Sequence, residues 1–77
     1  MVLQWLKRRG QSKRAIEYLR QFPNDGPAVE AILMSVTLFD VKSARDAASI
    51  LAKREMTDAE WAEVGARWER AWYAIIR

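Results

Sequence analysis

Residues 57–76 read TDAEWAEVGARWERAWYAII and carry the clearest structural pattern in the chain. At 100° per residue the apolar side chains fall on one stripe, which is typical of an amphipathic helix. The stripe consists of Trp61, Val64, Trp68, Trp72 and Ile75, with Gly65, Ala71 and Ile76 at its edges. Thr57 and Glu60 have the spacing of a capping box, which places the start of this helix. Three indoles on one face could stack on bases or enclose a ligand, but we expect them to form the core of a small bundle.

Three further helices are predicted upstream. The turn Asn24–Pro27 predicts a helix from about Pro27 to Leu38, and Asp40 or Ser43 caps the next helix, which runs to about Arg54. Another amphipathic helix covers residues 13–22. It is expected to turn inward Ala15, Ile16, Leu19 and Phe22, with Tyr18 at the margin.

The N-terminal residues do not continue the apolar phase of residues 13–22. A single helix would turn Leu3 and Leu6 to the polar side and bring Arg8 into the apolar stripe. We therefore expect a break at residues 10–12, which leaves residues 2–9 as a short fifth helix or an arm. The chain is thus predicted to be one all-α domain, residues 1–77. Its four helices form two antiparallel hairpins around the tryptophans of the last helix, and residues 1–10 are a basic and apolar N-terminal arm.

Most catalytic chemistry is disfavoured by the composition. The chain has no histidine and no cysteine, so it lacks an imidazole base, a thiolate nucleophile and the ligands of an ordinary zinc site. Its three glycines stand apart and cannot form a phosphate-binding loop. The paired acids Glu60 and Glu63, and Asp40 and Asp46, lie where helix caps and solvated faces place acids. We expect no catalytic, cofactor or metal residues, no enzymatic activity and no small-molecule substrate.

Positive charge is concentrated at the start of the sequence. Residues 1–22 hold six basic side chains and one acidic, a net charge of +5, whereas the rest of the chain carries −2. Such asymmetry is a hint of an anionic partner. One hypothesis is therefore non-specific nucleic-acid binding through the basic cluster. That cluster consists of Lys7, Arg8, Arg9, Lys13, Arg14 and Arg20. A solvated helix face is the plainer interpretation.

The low stability expected of such a small domain favours a different function. A domain of 77 residues buries a limited core, and this chain has neither disulfides nor metal ligands to supplement it. Oligomerisation or a protein partner remains, which predicts an interaction module such as an adaptor, an inhibitor or an assembly subunit. The apolar residues in excess of the expected core are Trp5, Leu6, Met34, Leu38 and Ile50. The alternative is that these side chains complete the core of the chain itself.

The sequence does not favour a membrane location. Val2 to Leu6 precede the basic residues, which is the reverse of a secretory signal. The longest apolar run, residues 28–39, is interrupted and shorter than the roughly 20 residues of a membrane span. Surface attachment by residues 1–8 would bury little area. We expect a cytoplasmic protein.

Overall fold

The computed structural model describes residues 2–76 of the chain, with side chains described for residues 10–76. Helix α1 spans Val2–Gln21, and a short 3-10 turn, Pro23–Asp25, joins it to α2, which spans Gly26–Leu38. Helices α3 and α4 span Ala44–Ala52 and Asp58–Ile76, and no strand occurs among the described residues. The predicted all-α class with four helices is confirmed.

Local capping explains how α3 and α4 begin. The Ser43 hydroxyl accepts a hydrogen bond from the Asp46 amide at 3.1 Å, as a helix N-cap does. The predicted capping box is confirmed, because Thr57 Oγ1 accepts from the Glu60 amide at 3.2 Å and Glu60 Oε1 accepts from the Thr57 amide at 3.0 Å. Helix α3 ends two residues before Arg54, because Lys53 adopts a left-handed conformation with φ 61°.

The expected break at residues 10–12 is wrong. Helix α1 continues through Gly10, which has no positive φ and so keeps the ordinary helical handedness. A glycine within a helix costs about 1 kcal/mol relative to alanine, which weakens a helix without ending it. There is accordingly no separate fifth helix, and residues 2–9 form the first turns of α1.

The inward face of α1 also differs from the prediction. Tyr18 is buried, whereas Ile16 is 57% exposed. The Tyr18 hydroxyl is buried because it has two polar partners, Asp25 and Arg70, within hydrogen-bond distance. This contact turns the Ala15, Tyr18 and Phe22 side of α1 toward α4 and rotates Ile16 outward.

The core is centred on aliphatic side chains rather than on the tryptophans. Ile32 of α2 and Ile75 of α4 are fully buried, together with Ala47 and Ala71, which allow the helices to approach closely. Trp68 and Trp72 pack against this cluster but stay partly exposed.

Trp61, the first tryptophan of α4, lies over Gly65. A Cβ atom at Gly65 would stand 2.8 Å from the indole Cε2 atom, so this close approach requires a residue without a side chain. The indole thereby covers the backbone of its own helix.

Helix α4 holds the four helices together. It contacts α1, α2 and α3, while α1 contacts α2 and α3 contacts α4 as two hairpins require. The contact between α1 and α4 is more extensive than that between α1 and α2. Helix α2 contacts α3 as extensively as α1 contacts α4, and the α1–α2 junction carries exposed apolar side chains, Ile16, Met34 and Leu38. No helix within residues 2–76 combines the length and the hydropathy needed to cross a bilayer.

Candidate functional site

An apolar groove runs along the open junction of α1 and α2. Its first part has a volume of about 500 Å³ and its second part about 470 Å³. The two parts share Ser12, Glu30 and Leu33, so they form one continuous surface. We call this surface the α1–α2 groove. The exposed or partly exposed apolar side chains that line it are Ile16, Leu19, Leu33, Met34 and Leu38.

The groove exists because α2 is apolar on two sides. Val29, Ile32 and Ser35 point into the core and are buried. Met34 and Leu38, on the other side of α2, are 51% and 64% exposed. A helix that is apolar on both sides needs a second partner to cover its outer face. Within the described chain, α1 covers that face only in part.

Charges along the groove are unevenly distributed. Lys13, Ile16 and Arg20 are spaced i, i+3 and i+7, so they share one side of α1. Both cations are exposed, and the ion pairs of the described residues involve other arginines, namely Arg45, Arg54, Arg67 and Arg70. Glu30 is exposed on the α2 side of the groove. Exposed Glu17 lies between Lys13 and Arg20 in the sequence, so the α1 edge carries two positive charges and one negative charge, and the α2 side carries one negative charge.

The predicted interface residues are only partly brought together. Met34 and Leu38 both line the α1–α2 groove. Ile50 is 37% exposed on α3 and does not line it. The side chains of Trp5 and Leu6 lie outside the described residues. Ile16, which was predicted to lie in the core, instead lines the groove.

The described residues of the basic cluster, Lys13, Arg14 and Arg20, do not all have the same surroundings. Arg14 Nε donates a hydrogen bond to the Ile75 carbonyl at 2.8 Å and so satisfies one of the last carbonyls of α4. Lys13 and Arg20 are exposed on a different side of α1 from Arg14. The side chains of Lys7, Arg8 and Arg9 lie outside the described residues.

A cluster of polar side chains that was not predicted from the sequence surrounds the buried carboxylate of Asp25. Tyr18 Oη donates to Asp25 Oδ2 at 2.5 Å, Arg67 Nε donates to Oδ1 at 3.0 Å, and an Arg70 terminal nitrogen donates to Oδ2 at 3.2 Å. Arg70 also lies over the Phe22 ring, 4.0 Å from its centroid. We call Tyr18, Asp25, Arg67 and Arg70 the Asp25 cluster.

The electrostatics of the Asp25 cluster indicate a structural role. Burial raises the pKa of Asp25, but the hydrogen bonds from Tyr18, Arg67 and Arg70 outweigh burial, and the pKa is lowered overall. Burial and the hydrogen bond to Asp25 raise the pKa of Tyr18. The carboxylate is thus ionised and its donors are paired at neutral pH. The cluster ties α1 and the 3-10 turn to α4.

The remaining acids form no metal site. Among the described residues, no group of three acidic side chains is arranged to hold a metal ion.

Comparison of the chain with protein-family models, with curated proteins and with solved structures gives no match.

Proposed function

We propose that this chain is a non-catalytic protein-interaction module, an adaptor, inhibitor or assembly subunit, which binds a helix of a partner protein in the α1–α2 groove. The observation that carries the proposal is the exposure of Ile16, Met34 and Leu38 along one continuous apolar groove. Covering such side chains is favourable by about 25 cal/mol for each Å² of apolar surface removed from water.

A helix fits this groove better than an extended segment does. A partner strand would need an exposed sheet edge, and the described part of the chain is built from helices. Side chains on α2 at positions 33, 34, 37 and 38 line the groove with helical spacing. Ridges with this spacing accept the apolar stripe of another helix.

A protein partner agrees with the contacts of the basic residues better than nucleic acid does. Arg14 is engaged by the end of α4, and Lys13 and Arg20 flank an apolar side chain, Ile16. A phosphate backbone would be bound by cations alone and would leave Ile16 uncovered.

Selection from a displayed library of helical peptides tests this function. The matched variants are Met34→Glu in the groove and Leu51→Glu on α3, because Met34 and Leu51 are 51% and 50% exposed. Peptides selected on the wild-type protein should carry apolar residues at i, i+4 and i+7. They should lose binding to Met34→Glu and keep it with Leu51→Glu.

The two variants, Met34→Glu and Leu51→Glu, also provide the control and define the result that would contradict the proposal. Circular dichroism should show that both variants keep their helices, since both substitutions are at exposed positions. Failure to enrich any peptide, or equal binding of the enriched peptides to the wild type and to Met34→Glu, would contradict the proposed function.

A further inference from the structure

The charges beside the α1–α2 groove specify its occupant further. We propose that the partner helix is amphipathic and carries acidic residues along the one edge that faces α1. This inference rests on the proposed function and deepens it, because it names the chemistry of the partner.

Two exposed basic side chains of α1 lie beside the groove. Lys13 precedes Ile16 by three residues and Arg20 follows it by four, so the two cations bracket an apolar side chain that is 57% exposed. Neither cation lines the groove itself, but both lie next to Ile16 at its α1 edge, with exposed Glu17 further around the helix, so a helix that covers Ile16 passes beside the two cations first. Long basic side chains can also lay their methylene stems along such an apolar surface.

Glu30 restricts the acidic residues of the partner to one edge. Its exposed carboxylate lines both parts of the groove from the α2 side. Acidic residues on both edges of the partner would meet this like charge, which disfavours binding. The partner should therefore be acidic toward α1 and neutral or basic toward α2.

The length of the groove sets the size of the contact. The α2 side runs from Pro27 to Leu38, about 16 Å at the rise of an α-helix. A partner helix therefore contributes about three turns. A synthetic peptide must be somewhat longer, about 18 residues, to be helical in water.

Three peptides of identical apolar sequence provide the probes. Each is an alanine-rich helix of about 18 residues with leucines at i, i+4, i+7 and i+11, and one edge carries glutamate, glutamine or lysine. Fluorescence anisotropy measures their dissociation constants for the full chain at low and high salt. We expect the glutamate peptide to bind about fivefold more tightly than the glutamine peptide at low salt, which corresponds to two exposed ion pairs. The difference should vanish at high salt.

Charge variants of the chain identify the residues responsible. Lys13→Gln with Arg20→Gln should remove the preference for glutamate, so that the glutamate and glutamine peptides bind this variant equally. Lys13→Glu with Arg20→Glu should reverse the preference toward lysine. Glu55→Gln is the control, because Glu55 is an exposed acid in the α3–α4 loop, away from the groove.

Each outcome separates this inference from the proposed function. Equal binding of the glutamate and glutamine peptides, or tighter binding of the lysine peptide by the wild type, overturns the acidic edge while the groove still binds a helix. Binding of none of the peptides contradicts both. A dimer in sedimentation that Met34→Glu dissociates would show that a second copy occupies the groove, and would overturn the proposed partner.

Discussion

Asp25 connects three parts of the chain through one carboxylate. It accepts hydrogen bonds from Tyr18 on α1 and from Arg67 and Arg70 on α4, and only 3% of its surface is exposed. Hydrogen bonds to a charged group contribute more to stability than neutral ones do. We regard the Asp25 cluster as the main polar contribution to how α1 sits on α4.

Asp25→Asn should lower the free energy of unfolding by about 2 kcal/mol at neutral pH, because the amide cannot replace a carboxylate that accepts from three donors. At acidic pH the free energy of unfolding should also fall less in the variant than in the wild type. The pKa of Asp25 is lower in the folded protein than its ordinary value of 3.8, so its contribution is complete above that pH and is lost as the pH falls through the folded pKa. Urea denaturation over a pH series measures both effects.

Asp40→Asn is the matched control for this prediction, because Asp40 is exposed between α2 and α3 and its removal should change stability by less than about 0.5 kcal/mol. Both variants keep Glu60. Hydrogen bonds from Arg54 and from the Thr57 amide lower the pKa of Glu60 from 4.5 to about 2. A gentler acid decline should therefore remain in Asp25→Asn. Equal stabilities of the Asp25 and Asp40 variants would show that the cluster is not a structural link.

Contacts between residues close in the sequence could be predicted, whereas the contacts of the Asp25 cluster could not. The capping box of Thr57 and Glu60 depends on a spacing of three residues, which the sequence displays directly. Asp25 meets Arg67 and Arg70 across 42 and 45 positions, and no local pattern encodes such a pairing. The same distant contact buried Tyr18 and so turned Ile16 outward, contrary to the prediction.

At the scale of the elements, α1 is the helix that differs most from the prediction. Its apolar phase changes near Gly10, yet the backbone continues as one helix from Val2 to Gln21. Helical hydrogen bonding does not require a constant apolar phase, so a phase change alone was insufficient to locate an end. The starts of α2 and α4 were predicted to within about one residue because turns and caps mark them, and of the two caps predicted for α3, Ser43 is the one observed.

Gly10→Ala tests the continuity of α1. Alanine within a helix is favoured over glycine, so the free energy of unfolding should rise by about 0.5 to 1 kcal/mol. The new methyl group would lie 3.2 Å from a terminal nitrogen of Arg14, whose Nε donates to the Ile75 carbonyl, so a small shift of this guanidinium offsets part of the gain. Chemical denaturation measures the change and circular dichroism measures the helix content.

Gly26→Ala provides a comparison, because Gly26 is the first residue of α2 and a methyl group there meets nothing within 4 Å. Its gain should be smaller, since the first turn of a helix depends less on residue propensity than the interior does. Loss of stability in Gly10→Ala, with no gain in helix content, would instead indicate a break in α1.

At the scale of the whole molecule, the four helices of residues 2–76 enclose a small core and leave the α1–α2 groove uncovered. Met34 and Leu38 were predicted as interface residues because α2 is apolar on two sides, and both line the groove. Ile16 and the groove itself could not be predicted, because they depend on the rotation of α1 against α4. The open junction of α1 and α2 thus follows from the same contacts that organise the core.

The location of the binding surface is the central claim. Methyl NMR spectra of the full chain, titrated with the glutamate-edged peptide, test it most directly. We predict that the methyl signals of Ile16, Leu33 and Met34 shift on binding, while those of Ile50 and Leu51 on α3 stay in place. Shifts confined to Ile50 and Leu51, or no shifts at saturating peptide, would contradict the claim that the α1–α2 groove binds a partner helix.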